Sequence, residues 1–121
     1  PRVAVVGRDG PRAALKLMEE QGLSSVFVVD REQRLVGLVQ AEAAIGAAQH
    51  GETGLGSLVI RDVPTTRPDT LLEALIPVAA SHRWPIAVLD EERRLLGIIP
   101  RVAVLAGLAG RTQADAPRQA G

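Results

Sequence analysis

The chain has no cysteine and no tyrosine, and its only aromatic side chains are Phe27 and Trp84. Without cysteine there are no disulfides and no thiolate metal sites, and the redox compartment stays open. With two aromatics in 121 residues, the core has to be assembled from Val, Leu, Ile and Ala. An excess of one charge is also missing. Fourteen Lys+Arg stand against 14 Asp+Glu, which argues against nucleic acid as a partner because such binders carry a basic footprint. No apolar run approaches the roughly 18–20 residues of a membrane span, and the best candidates are cut by Pro100 and Arg101. His50 and His82 are the only histidines, and they are not spaced as metal ligands. No Gly-x-x-x-x-Gly-Lys-Ser/Thr occurs, and Gly51-Glu-Thr-Gly-Leu-Gly56 lacks the preceding strand of a dinucleotide fingerprint. No enzyme activity is expected, no metal, and no required cofactor. What is present, 46% hydrophobic residues, suffices for one compact domain. The sequence opens on Pro1 without a signal-peptide pattern, so a piece of a longer polypeptide is expected.

The same unit occurs twice. Ser25-Val-Phe-Val-Val-Asp-Arg-Glu-Gln-Arg-Leu-Val-Gly-Leu-Val39 aligns without a gap onto Pro85-Ile-Ala-Val-Leu-Asp-Glu-Glu-Arg-Arg-Leu-Leu-Gly-Ile-Ile99, at an offset of 60. Val28/Val88, Asp30/Asp90, Glu32/Glu92, Arg34/Arg94, Leu35/Leu95 and Gly37/Gly97 are identical, and Ala14-Leu15 matches Ala74-Leu75. Such a duplication defines the architecture. The expected bounds are 1–50 for repeat 1, 51–57 for a linker, 58–110 for repeat 2 and 111–121 for an aperiodic, disordered tail. One repeat of roughly 50 residues is near the lower limit for an independent core. The two are therefore expected to pack about a pseudo-twofold axis, leaving two related clefts. The fold class is α+β (mixed α/β), each repeat a small sheet with flanking helices.

Within each unit the pattern reads helix, strand, tight turn, strand, helix. Val26–Val29 and Ile86–Leu89 are aliphatic runs closed by an Asp, a residue that accepts backbone N–H groups in turns. Leu35–Val39 and Leu95–Ile99 follow, with Gly37 and Gly97 predicting a bulge or a close backbone approach. Pro11 opens the first helix, with Ala14, Leu15 and Met18 on its apolar face, and Gly22 ends it. Ala41–Gln49 makes the second, stopped by Gly51. Thr70-Leu-Leu-Glu73 predicts a capping box for the third, in which Pro77 predicts a kink costing about 3 kcal/mol. Pro100 is expected in the first turn of the fourth, whose apolar face is Val102, Leu105 and Leu108.

An apolar strand, Asp, turn, Leu-x-Gly-apolar-apolar and a helix, occurring twice, resembles the CBS-domain pair, or Bateman module, from Pro11 to about Gly110. Val63–Thr70 is similar to that family's approach to its second repeat. Gly10-Pro-Arg-Ala-Ala-Leu-Lys-Leu-Met18 is similar to the start of the C-terminal module in ATPase subunits of glycine betaine/proline ABC transporters. The resemblance implies a non-catalytic regulatory module of an osmoprotectant transporter, fused to an ATPase domain and working with membrane subunits. It implies a homodimer through helix faces, a cytoplasmic place at the inner face of the plasma membrane, and a response to ionic strength, an adenine nucleotide or a cyclic dinucleotide. The family's ribose-binding Asp is replaced at both positions, by Ala43 and Ala103, which weakens ordinary nucleotide recognition. Two other readings stay open: an adenine-nucleotide sensor on another enzyme or channel, and a structural dimerisation module using Leu15, Met18, Val102 and Leu105.

The candidate ligand-binding residues are Arg8, Arg12, Thr65, Thr66, Arg83, Trp84 and Arg101. Trp84 reads either as a stacking platform with Arg83 beside it for a phosphate, or as an indole plugging the core edge. Thirteen Arg against one Lys suit bidentate phosphate binding, and equally suit a solvated surface. Thr65 and Thr66 offer hydroxyls, or simply edge a strand.

Overall fold

Turn residues and aliphatic runs sort the chain into two copies of one arrangement. In a computed structural model, which describes residues 4–107, a short strand β1 (Ala4–Val6) leads through a 3-10 turn into α1 (Gly10–Gln21). β2 (Ser25–Val29), β3 (Leu35–Gln40) and α2 (Ala41–Gln49) follow. After the linker the order repeats: β4 (Thr65–Thr66), α3 (Leu72–Ser81), β5 (Ile86–Leu89), β6 (Leu95–Ile99) and a helix α4 over 101–107. Each copy carries a three-stranded sheet, β1-β2-β3 or β4-β5-β6, with the first pair parallel and the second antiparallel. This is the α+β arrangement that the duplication implies. The sequence-based tail over 111–121 and the apolar residue Leu108 lie outside the described residues.

The hairpin turns are built by their aspartates. Asp30 Oδ1 accepts the backbone N–H groups of Glu32 and Arg34 at 2.9 and 2.8 Å, and Asp90 Oδ1 accepts those of Glu92 and Arg94 at the same distances. Each turn places a non-glycine residue in the left-handed region, Gln33 at φ 68° and Arg93 at φ 66°. The two turns then hold each other. Leu35 N–H donates to Arg93 O at 3.0 Å, and Leu95 N–H donates to Gln33 O at 2.9 Å, across the pseudo-twofold axis. This backbone clasp joins the repeats at the turn end of their sheets.

The Arg34 backbone N–H is the chief cause holding the Asp30 carboxyl below its ordinary 3.8, helped by Glu32 N–H and the Arg34 guanidinium. Desolvation pushes Asp90 upward, but the Arg94 backbone and side-chain hydrogen bonds and Glu92 N–H together outweigh it, so this carboxyl is also lowered. A depressed carboxyl favours the folded state above its unfolded value, and that contribution disappears as pH falls through the folded value. Chemical denaturation of the wild type and of Asp30→Asn/Asp90→Asn at a series of pH values checks this. The stability gap should be constant above about pH 5 and close below the ordinary 3.8. A gap independent of pH would show that the carboxylate charge contributes nothing.

Three cores result. Repeat 1 buries Val5, Ala14, Leu17, Met18, Val26, Val28, Val39 and Ala44 together with Leu55 of the linker. Repeat 2 buries Leu75, Ala79, Ile86 and Val104. Between the sheets lie Phe27, Leu35, Leu38, Ala87 and Leu89, drawn from both repeats. Phe27 and Ala87 occupy matching positions of the duplication, so one large ring and one methyl fill the shared layer.

Several helix details differ from the sequence reading. Leu17 and Met18 are buried on α1 while Leu15 is only half-buried, because the face turned to the sheet is centred on Ala14 and Leu17. The α3 capping box does not form. Thr70 N–H closes a turn onto Arg67 O at 3.2 Å, so the helix starts at Leu72 behind Leu71. Pro77 therefore sits inside the helix, where its ring nitrogen has no N–H to donate. Pro100 precedes α4 rather than entering its first turn, its carbonyl accepting Ala103 N–H at 2.9 Å. On α4 the expected apolar face is solvent-facing, with Val102 71% and Leu105 47% exposed, and the buried residue is Val104. The spacing of apolar residues alone does not choose between these faces.

Candidate functional site

The strand ends opposite the clasp frame a cavity of about 450 Å³. Repeat 1 supplies Leu23, Ser24, Ser25, Gln40 and Glu42, and repeat 2 supplies Arg83, Trp84, Pro85, Pro100, Arg101 and Val102. These are matching positions at the offset of 60: 23–25 against 83–85, and 40–42 against 100–102. The cavity thus straddles the pseudo-twofold axis, and at this end the expected pair of clefts merges into one. Its volume lies within the ~300–1,000 Å³ of small-molecule sites.

Chain geometry explains the lining. Each half has a loop residue entering its first long strand and the start of a helix leaving the second. In repeat 1 the two are tied, Ala41 N–H donating to Ser24 O at 2.8 Å. The starts of α2 and α4 both face the cavity, presenting the partial positive charge of helix N-termini. Arg83 is exposed and lies over the Trp84 indole, its guanidinium carbon 4.7 Å from the ring centroid. Trp84 is half-buried and also packs against the layer between the sheets. It belongs to the core edge and to the cavity wall at once. Arg101 Nε donates to Ala79 O at 2.9 Å, satisfying a carbonyl at the end of α3 and fixing the side chain at the cavity rim.

Of the residues singled out from sequence, the structure brings Arg83, Trp84 and Arg101 together. The others lie apart. Arg8 lines a groove with Val28, Asp30, Val36 and Val59. Arg12 lines one with Pro11, Ala48, Glu52 and Thr53. Thr65 and Thr66 line another with Arg67, Asp90 and Arg93. The repeat-1 half of the cavity escaped the sequence reading, although shifting 83–85 and 100–102 back by 60 leads directly to it. Glu42 puts a carboxylate in the wall next to Ala43, one of the positions where the resemblance expects Asp. Among the described residues no group of His, Cys, Asp and Glu is placed to hold a metal ion, and no helix is long and apolar enough to cross a membrane.

A clasped pair of small α+β repeats with a cavity on their shared axis defines a tandem-repeat module, and the chain belongs to the CBS domain family, whose model matches residues 2–48 and 55–110. It is similar to the glycine betaine/carnitine transport ATP-binding protein GbuA of Listeria monocytogenes, 44% identical over 110 residues, or 91% of this chain and 28% of that protein. The chain thus spans about a quarter of the length of the curated relatives it matches. Among solved structures, Staphylococcus aureus OpuCA superposes with a TM-score of 0.79 at 19% identity, covering 89% of this chain and 92% of that one. CBSX2 in complex with AMP gives a TM-score of 0.74 at 20% identity, covering 90% and 88%.

Proposed function

We propose that the chain is the regulatory module of an ATP-binding subunit in a glycine betaine/proline-type osmoprotectant transporter, and that the axial cavity is its sensor site for an anionic adenine-containing ligand. The observation that carries this reading is the shared construction of the cavity. A molecule held there touches both repeats, so its binding free energy depends on how they are disposed, and such a ligand biases one disposition over another. The chemistry of the lining suits the ligand class. The Trp84 indole offers a stacking face, Arg83, Arg101 and two helix starts favour negative charge, and Glu42 with Ser24 and Ser25 offers acceptors for hydroxyl groups. CBSX2, of like fold, is described with AMP, and the GbuA likeness supports the transporter assignment. In this reading the module lies at the cytoplasmic face of the membrane, fused to the ATPase domain and beside the transporter's membrane subunits.

A homodimer through helix faces has its own supporting observation. Ile45 on α2 and Leu105 on α4 are matching positions, 46% and 47% exposed, beside Val102. Met18 is buried and Leu15 packs on the repeat-1 core, so neither contributes to such a face.

The test is a thermal-shift titration with AMP, ATP, cyclic di-AMP, glycine betaine and graded KCl. A ligand at a hundredfold excess over its Kd stabilises the native state by about 2.7 kcal/mol. An adenine-containing ligand should produce that shift, and Trp84→Ala and Arg83→Ala should each weaken binding by about tenfold or more. No shift with any nucleotide, together with a shift on KCl alone, would replace this reading by direct ionic-strength sensing.

A further inference from the structure

The helices α1 and α3 occupy matching places in the two repeats, yet their C-terminal ends are closed differently. Gly22 takes φ 66° and closes α1 with backbone alone. Gly22 N–H donates to Glu19 O at 3.3 Å, and Leu23 N–H donates to Met18 O at 2.8 Å. The residue matching Gly22 is His82, which stays extended at φ −125°. A Cβ disfavours the left-handed region, so the change from glycine removes this cap. His82 N–H still reaches Val78 O, the counterpart of Met18 O, at 3.1 Å. Ala79 O, the counterpart of Glu19 O, accepts a side chain instead, Arg101 Nε donating at 2.9 Å. Ala79 is fully buried, which keeps water from serving as that donor. Ser81 Oγ reinforces the same turn, donating to Pro77 O at 2.8 Å.

We propose that Arg101 is a positioning residue of the axial cavity, capping α3 in place of the missing glycine and thereby holding the Arg83–Trp84 loop where a base stacks. The loop leaves α3 directly, and Ala79 lies only five residues ahead of Trp84. The matching junction of repeat 1 needs no side chain. There Ala41, at the place of Arg101, donates its backbone N–H to Ser24 O, at the place of Trp84. In repeat 2 the start of α4 is tied to the end of α3 through the guanidinium, across 22 residues of sequence. The Arg101 charge still adds to the field of the cavity, but its Nε hydrogen bond serves the protein. Direct contact with a ligand phosphate then falls to Arg83, which is exposed over the indole face.

The ligand arm of the test rests on the sensor reading, and the ligand-free arm does not. Trp84 is the only Trp of the chain, so its fluorescence reports on this loop alone. Without ligand, Arg101→Met should move the Trp84 emission to the red as the indole gains water. It should also speed exchange of His82 N–H by about tenfold, while Leu23 N–H at the end of α1 keeps its rate. Arg101→Gln places an amide N–H where Nε stands, without the charge, and should restore both signals. His82→Gly added to Arg101→Met should restore them as well, by giving α3 the cap of α1. Wild-type emission and exchange in Arg101→Met overturn the proposal, and so does a loss that neither rescue repairs. In the ligand arm, adenosine and AMP should each bind Arg101→Met about tenfold more weakly, and both should recover in Arg101→Gln. A loss confined to AMP and unrepaired by Gln would make Arg101 a phosphate contact and overturn its positioning role. No binding to the wild type, with the ligand-free results as expected, would count against the sensor reading alone.

Discussion

Phe27→Ala is expected to lower the stability of the chain by about 3–5 kcal/mol, a large fraction of the 5–15 kcal/mol of a typical domain. Phe27 is the only Phe in the chain, 1% exposed, and its ring lies in the apolar layer that draws on both sheets. Removing it leaves a void that two rigid sheets close only in part. Because the duplication puts Ala87 at the matching position of the same layer, the swapped pair Phe27→Ala/Ala87→Phe returns a ring of equal volume from the opposite side. It should recover about half of the loss, as volume-conserving repacking does. Equilibrium denaturation of the three proteins measures this. A swap no more stable than Phe27→Ala would mean that the layer is less symmetric than the duplication implies.

Gly37→Ala should cost about 3 kcal/mol or more, against less than about 0.5 kcal/mol for Gly97→Ala in the same 121-residue chain. The two glycines are identical partners in the repeat, and nothing local separates them. Their surroundings do. A methyl on Gly37 would collide with the Ile60 carbonyl and the Val59 side chain, and backbone cannot yield there without breaking the Leu38–Ile60 pairing. A methyl on Gly97 projects into open space among the described residues. Urea denaturation of both variants decides it, and equal losses would contradict the packing of Val59 and Ile60 on β3.

The helices and the hairpin strands of each repeat were legible because each repeat states its punctuation, whereas the short strands β1 and β4 that open each sheet were not. Asp30 and Asp90 sit where the turns need acceptors, Gly22 takes the left-handed φ of 66° at the end of α1, and Ala41–Gln49 is a helix with the bounds its flanks suggest. Features set by tertiary packing were not legible. Thr70 and Glu73 carry a capping pattern, yet the turn through Pro68 and Asp69 claims Thr70 first. Val102 and Leu105 look like a core face by spacing, but the sheet selects Val104. The site was half legible for a related reason. Arg83, Trp84 and Arg101 stand out by residue type, whereas Ser24, Ser25 and Gln40 matter only through the axis that sets them opposite. The same axis keeps Arg8, Arg12, Thr65 and Thr66 away from the cavity.

The clasp between Leu35 and Arg93 and between Leu95 and Gln33 has a mechanical meaning. It fastens the repeats at one end of β3 and β6, and the cavity opens at the other end. The strands between them act as arms about 17 Å long, at 3.3 Å per residue. A rotation of about 5° at the clasp would move the cavity walls by about 1.5 Å, against the packing of Phe27, Leu38 and Ala87 between the arms. Under the proposed sensor role, ligands differing in width by an ångström would set different splays of α2 and α4. The module is built like tongs, hinged at the two turns and open at the strand ends.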